Sequence, residues 1–175
     1  YKEHVLSEQK YLSSKMYEKD KVYWRKKLSV FSEASHIKEC KSVYISPVGN
    51  RKHFVLSSSL NHAIRSFCEK NRVAPFSLLY MALAIYLKRI GGADCLSIGV
   101  PIFNRSNFKE KQSTGMFVST LPFISEIDEN WSLEEFNEHL TDEWYNLLRH
   151  QKFPFSEIGA LAAETKGESL PLFHI

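Results

Sequence analysis

The chain has few cysteines, little net charge and no long apolar run. Among its 175 residues only Cys40, Cys68 and Cys95 are cysteine, widely spaced. That is too few and too scattered for a disulfide framework or a zinc knuckle, and it fits a reducing compartment such as the cytoplasm, with the thiols as small buried apolar side chains. A net charge of +3 is too small to argue for nucleic acid or an anionic membrane as partner. No window reaches the uninterrupted apolar length of a membrane span, and the opening YKEHVLSEQK has no signal-peptide core. Internal repeats and low-complexity segments are also lacking. What is present is the composition of an ordinary globular domain, 43% hydrophobic and 25% charged, long enough to bury a real core.

Read in order, the chain opens with helical sequence. Ser7 is placed to cap a first helix to about Ser14. A second, Tyr17 to Leu28, sets Tyr17, Asp20, Trp24 and Leu28 near one face. Lys15, Lys19, Lys21, Arg25, Lys26 and Lys27 populate its other faces, but Glu18 and Asp20 stand among them, so a solvated face is the simpler reading than a nucleic-acid surface. Phe31 to Asn50 loses periodicity and reads as a connector with a short strand at Ser42 to Ile45, and His53 to Leu56 reads as another strand. Ser58 or Ser59 then caps a helix with the stripe Leu60, Ile64, Phe67 and Cys68, ended by Asn71; His62 lies on its surface. Pro75 suits the first turn of the next helix and Gly91-Gly92 its stop. Phe76 to Leu87, apolar on nearly every face, should be the most buried helix of the chain.

The centre of the sequence is LSIGVPIFNRSNFKEKQSTGMFVSTLPF. Its apolar runs, Leu96 to Val100 and Met116 to Phe123, are short and bounded by Gly, Pro and Asn, as buried strands are. Between them lies a polar loop with Asn104, Arg105 and Gly115. Either Asn104 and Arg105 simply turn the chain and Gly115 supplies an unusual backbone angle, or the loop is the working part presented by a rigid strand pair. Ile124 to Asn130 turns acidic and irregular. Ser132 and Glu135 then form a capping box ahead of Leu133, Phe136, Leu140, Trp144 and Leu147, a helix to about Arg149. His150-Gln151-Lys152-Phe153-Pro154-Phe155 closes it. An imidazole at a helix end suits the dipole, and with no carboxylate or nucleophile near it in sequence, His150 reads as structural rather than as a general base. A polar segment, Ala162 to Ser169, leads to Leu170–Ile175, a candidate strand.

IGVPIFNR and GMFVSTLP closely resemble two core motifs of the condensation domain of non-ribosomal peptide synthetases. YEKDKVYW resembles the helix that follows that family's catalytic motif, where an aromatic, an aspartate and a tryptophan recur, here Asp20 and Trp24. HQKFPF resembles its last core motif, with His150, Gln151, Pro154 and Phe155 matching, and PLFHI follows. The strings stand in the family's order across nearly the whole chain.

The resemblance implies an α/β, chloramphenicol-acetyltransferase-like fold, with two similar lobes around a tunnel. This chain then resembles a piece incomplete at both ends: residues 1–46 a helical segment and connector, residues 47–175 most of the second lobe, with a mixed sheet packed by helices. The implied activity joins a donor thioester on one carrier protein to the amine of an acceptor on another. Upstream and downstream peptidyl carrier domains, and the first lobe, are the implied partners; their phosphopantetheine arms carry the substrates, and no cofactor or metal is expected on this piece.

The family's active-site signature, HHxxxDG, is absent, as is the DxxxxDxxS of heterocyclising relatives. No catalytic residue is therefore assigned, and the chain alone is expected to be inactive. By resemblance, Asn104 and Arg105 and the strand Gly115, Met116, Phe117, Ser119 and Thr120 line the tunnel. Ser119 stands where relatives often have Asn, keeping a hydroxyl and losing the amide. Met116-Phe117 favours condensation over epimerisation, whose domains usually read GWFT there. Two other classes remain open: an acyltransferase of the same superfold using coenzyme A, and a non-catalytic module that docks carrier proteins. The expected cut ends should leave a strand edge and an apolar patch that promote self-association.

Overall fold

A computed structural model describes residues 2–31, 49, 51–105, 107–167 and 171–174. Its elements are α1 (Lys2–Leu12), α2 (Lys15–Val30), α3 (Ser58–Asn71), α4 (Pro75–Gly91), β1 (Cys95–Ile102), α5 (Phe108–Gln112), β2 (Ser119–Glu126), α6 (Leu133–Arg149) and α7 (Phe155–Lys166).

Local sequence sets most boundaries. Ser14 caps α2 by accepting from the Tyr17 N–H at 3.3 Å. The α1 helix begins at Lys2 rather than at Ser7, which lies inside it; a serine in a helix interior costs little when its hydroxyl does not compete with the backbone. Ser57, one residue before the expected positions, caps α3. Arg72 ends that helix in the left-handed region at φ 54°, while Asn71 turns its amide back to the Phe67 carbonyl at 2.8 Å. Pro75 opens α4 and Gly92, at φ 71°, stops it, as the sequence required. The α6 capping box is complete: the Ser132 hydroxyl accepts from the Glu135 N–H, and the Glu135 carboxylate accepts from the Ser132 N–H.

The strands β1 and β2 form an antiparallel hairpin, with Ile98 opposite Phe123, Val100 opposite Leu121 and Ile102 opposite Ser119 at its loop end. Its middle is buried on both faces, so the strands show apolar runs rather than alternation. The α6 helix packs against α4 and β2, and α7 against α2 and β2. Phe123 makes edge contacts with Tyr80 of α4 and Trp144 of α6, at 4.8 and 5.6 Å between centroids. Trp24, Leu28 and Phe31 join the same core as Ile98, Leu121, Leu140 and Ile158. The chain end crosses β1: the Ser97 hydroxyl donates to the Leu172 carbonyl at 2.5 Å, and the Phe173 ring sits where a Cβ on Gly99 would be, 2.5 Å from its nearest carbon.

Several sequence expectations are corrected here. His53 to Leu56 forms no strand; Phe54 is 86% and Val55 97% exposed. An apolar stretch becomes a strand only when a neighbour takes its backbone bonds, and the described residues offer none. Residues 171–174 likewise meet β1 through a side-chain bond and ring packing, without a ladder. The α4 helix is buried on one side only: Tyr80, Met81, Ala84 and Leu87 face the core, whereas Phe76, Leu79 and Tyr86 are exposed. The second strand starts at Ser119, not Met116, because the preceding backbone is taken up by the loop described below. Two helices give no clear sequence signal. The α5 helix is short, and α7 lies between Pro154 and Gly167 with Gly159 inside it, so its breakers mask the Leu161–Ala162 face. The connector strand expected at Ser42 to Ile45 lies outside the described residues.

Candidate functional site

The described residues between 103 and 118 join the hairpin's two strands and are held together from inside by Arg105. Its Nη1 donates to the carbonyls of Glu110 and Ser113, the latter at 2.7 Å, and its Nη2 to the Gly115 carbonyl at 3.0 Å. The guanidinium carbon also lies 4.0 Å from the centroid of the Phe117 ring. Arg105 therefore works on main-chain carbonyls, where a lysine lacking the planar fork could not bridge three of them. Gly115 takes φ 153° and Asn104 φ 50°, both backbone angles that the loop's path requires.

The α5 helix is the second brace. Asn107 and Glu110 form a capping box across its first turn, at 2.9 and 3.3 Å. The buried Glu110 carboxylate then pairs with Lys152 at 3.6 Å. That contact ties the loop to the HQKFPF segment. Phe117 is buried and also meets the His4 ring at 4.4 Å. Its neighbour Met116 is 85% exposed, Ser119 is half-buried and Thr120 exposed. The buried Asn104 Oδ1 has no hydrogen-bond partner among the described residues, and it borders a polar cavity of about 50 Å³ that Tyr11 and Lys152 also line.

The remaining candidate residues converge elsewhere, on one junction. Asp20, 1% exposed, accepts from the Tyr11 hydroxyl at 2.5 Å and meets His150 Nδ1 at 2.6 Å. Burial, reinforced by the hydrogen bond to Asp20, pushes the Tyr11 phenol well above its ordinary range. The His150 ring stacks on Tyr23 at 4.0 Å, and its carbonyl accepts from the Trp24 indole at 3.3 Å. Phe153 packs on Tyr17, whose hydroxyl donates to Glu157 at 3.1 Å. Gln151 donates to the Leu148 carbonyl at 2.7 Å. Pro154 caps α7 and Phe155 opens it, with its ring 5.8 Å from Phe173. The segments YEKDKVYW and HQKFPF are thus two sides of one packed joint. A carboxylate does stand beside His150 in space, 130 residues away in sequence.

A family model for the condensation domain matches residues 1–175, the whole chain. The chain belongs to the condensation-domain family. It is 38% identical over 173 residues to surfactin synthase subunit 1 of Bacillus subtilis (strain 168), covering 99% of this chain and 5% of that protein. To a plipastatin synthase of the same organism it is 29% identical over 176 residues, covering 100% and 7%. The first condensation domain of the calcium-dependent antibiotic synthetase, in complex with a substrate analogue, superposes with a TM-score of 0.80 at 20% identity, covering 90% of this chain and 35% of that one. The starter condensation domain of rhizomide synthetase, a variant in complex with C8-CoA, gives 0.74 at 24% identity, covering 98% and 38%. The fold is therefore chloramphenicol-acetyltransferase-like, and the chain spans little more than a third of these solved domains.

Proposed function

We propose that the chain is part of a synthetase condensation domain that joins a carrier-bound acyl donor to a carrier-bound amine. Residues 47–175 form the bulk of its second lobe in this reading, and residues 1–46 the helical segment leading into it. The observation that carries it is the family match over all 175 residues, which includes the loop that Arg105 holds. In the reaction, the acceptor nitrogen attacks the donor thioester carbonyl. A C–N bond forms, the C–S bond breaks, and the thiol of the donor's phosphopantetheine arm departs with a proton. Those arms are parts of the substrates, brought by the flanking carrier domains.

This chain's residues contribute position rather than acid–base chemistry, since HHxxxDG does not occur in it. Arg105, Asn104 and Gly115 set the backbone of the loop, and Met116, Ser119 and Thr120 border the substrate path. A surface held this way reduces the freedom the two substrates lose on meeting, which is the larger part of what positioning gives a bimolecular step. We place the parent in the cytoplasm with its carriers.

The test is to charge donor and acceptor carriers, add the full-length parent, and look by mass spectrometry for the amide, the acceptor acylated on its nitrogen. Product from the carrier-bound donor supports the reading. A structural neighbour was solved with C8-CoA, so acyl-coenzyme A replaces the donor carrier in a second arm. Product only in that arm would favour a coenzyme-A-dependent acyltransferase, and product in neither would favour a docking module.

A further inference from the structure

The α1 helix lies outside every sequence string that carries the family resemblance, yet it touches both functional regions. Near its start, the His4 ring packs on Phe117, the same ring that holds the Arg105 guanidinium. One and two turns on, Ser7 and Tyr11 line the polar cavity shared with Asn104 and Glu110 of the loop. At its end, Tyr11 donates to Asp20 and so joins the Asp20–His150 junction. A helix is the stiffest short element available, with every backbone bond made internally. Fixed at both ends, it sets the distance between the loop and the joint.

We propose that His4 is a positioning residue: α1 acts as a strut that holds Phe117 in place and, through Phe117 and Arg105, holds the loop of residues 103–118. Without the His4 ring, one contact of the buried Phe117 is lost. The ring then gives the guanidinium no fixed platform, and water competes for the carbonyls of Glu110, Ser113 and Gly115 that Arg105 now gathers. Met116, exposed beside Phe117, is the side chain that this displaces along the substrate path. The mechanical part stands on geometry alone; the effect on turnover rests on the condensation reading above.

The test uses the full-length parent as wild type, His4→Ala and His4→Phe. Amide hydrogen exchange is followed in peptides covering residues 103–118 and 133–149, and steady-state kinetics are measured with the carrier-bound acceptor varied. In His4→Ala, exchange in residues 103–118 rises about tenfold while residues 133–149 keep their protection. The acceptor KM rises several-fold, with kcat held within about twofold. His4→Phe, which keeps a ring on Phe117, restores both. Unchanged loop exchange in His4→Ala overturns the proposal, as does an equal rise in α6, which would mean general loosening. Loop loosening without a change in KM overturns the positioning role. Should His4→Ala not fold, Phe117→Leu reads the same contact from the other side. Should the wild-type parent form no amide, the condensation reading falls while the exchange data still decide the strut.

Discussion

Asp20 shows what one residue does in this fold. Its carboxylate is buried and divides its two oxygens between the Tyr11 hydroxyl and His150 Nδ1. Removing it leaves two part-buried partners without their acceptor, so Asp20→Ala should cost about 1–3 kcal/mol, the usual penalty for hydrogen-bonding groups left unsatisfied. The urea midpoint should fall without a change in slope; an unchanged midpoint would mean the pair contributes nothing. The same burial governs the alkaline limb of stability. Burial first, and the Glu126 charge second, push the Cys95 thiol from 9.0 to about 11. Burial likewise raises the phenols of Tyr11, Tyr23 and Tyr80. Groups whose folded pKa lies above the unfolded one stabilise fully below the unfolded pKa and lose that contribution as pH rises. The urea midpoint should therefore hold to about pH 8.5 and fall beyond it, the thiol giving way before the phenols. A midpoint that rises between pH 9 and 11 would contradict these environments. Asp20, Trp24 and His150 were each legible as motif residues. Their meeting was not, because a contact across 130 residues leaves no local periodicity to read. His4 left no signal at all.

Elements were legible where capping and breaking residues speak alone. The α6 helix appeared in the sequence with its cap, its box and its stripe, since each is a short-range bond between named side chains and backbone. Ser132→Ala should lower stability by about 1 kcal/mol, read as a shift of the unfolding midpoint. The strands were legible in their apolar cores but not at their ends. Where β2 begins is decided by the Arg105 bonds to carbonyls on the loop, and those depend on tertiary structure. His53 to Leu56 has a strand's composition and no partner among the described residues, so composition alone misleads there. Gly99 tests the close approach of the chain end. A methyl group there would overlap the Phe173 ring, so Gly99→Ala should cost about 1–3 kcal/mol as an overpacked contact. Combining it with Phe173→Ala should recover part of that loss, and no recovery would show that the clash lies elsewhere.

At the scale of the molecule, the described surface carries several large apolar side chains. Phe54, Val55, Leu79 and Phe103 stand exposed, and the two-stranded sheet has open edges among the described residues. Open edges and apolar patches recruit partners. The isolated chain should associate with itself, with weight-average mass rising across a concentration series in sedimentation; a strict monomer throughout would count against it. On the proposed reading, the loop between β1 and β2 takes part in the parent's reaction. Its most direct test is the rate of amide formation by the full-length parent carrying Arg105→Ala, compared with wild type after both are shown to be folded. If the guanidinium holds the loop along the substrate path, the rate should fall about a hundredfold, the scale of an ångström-sized misplacement, with little change in unfolding midpoint. A variant that forms product at the wild-type rate would contradict the claim that this loop works in the reaction.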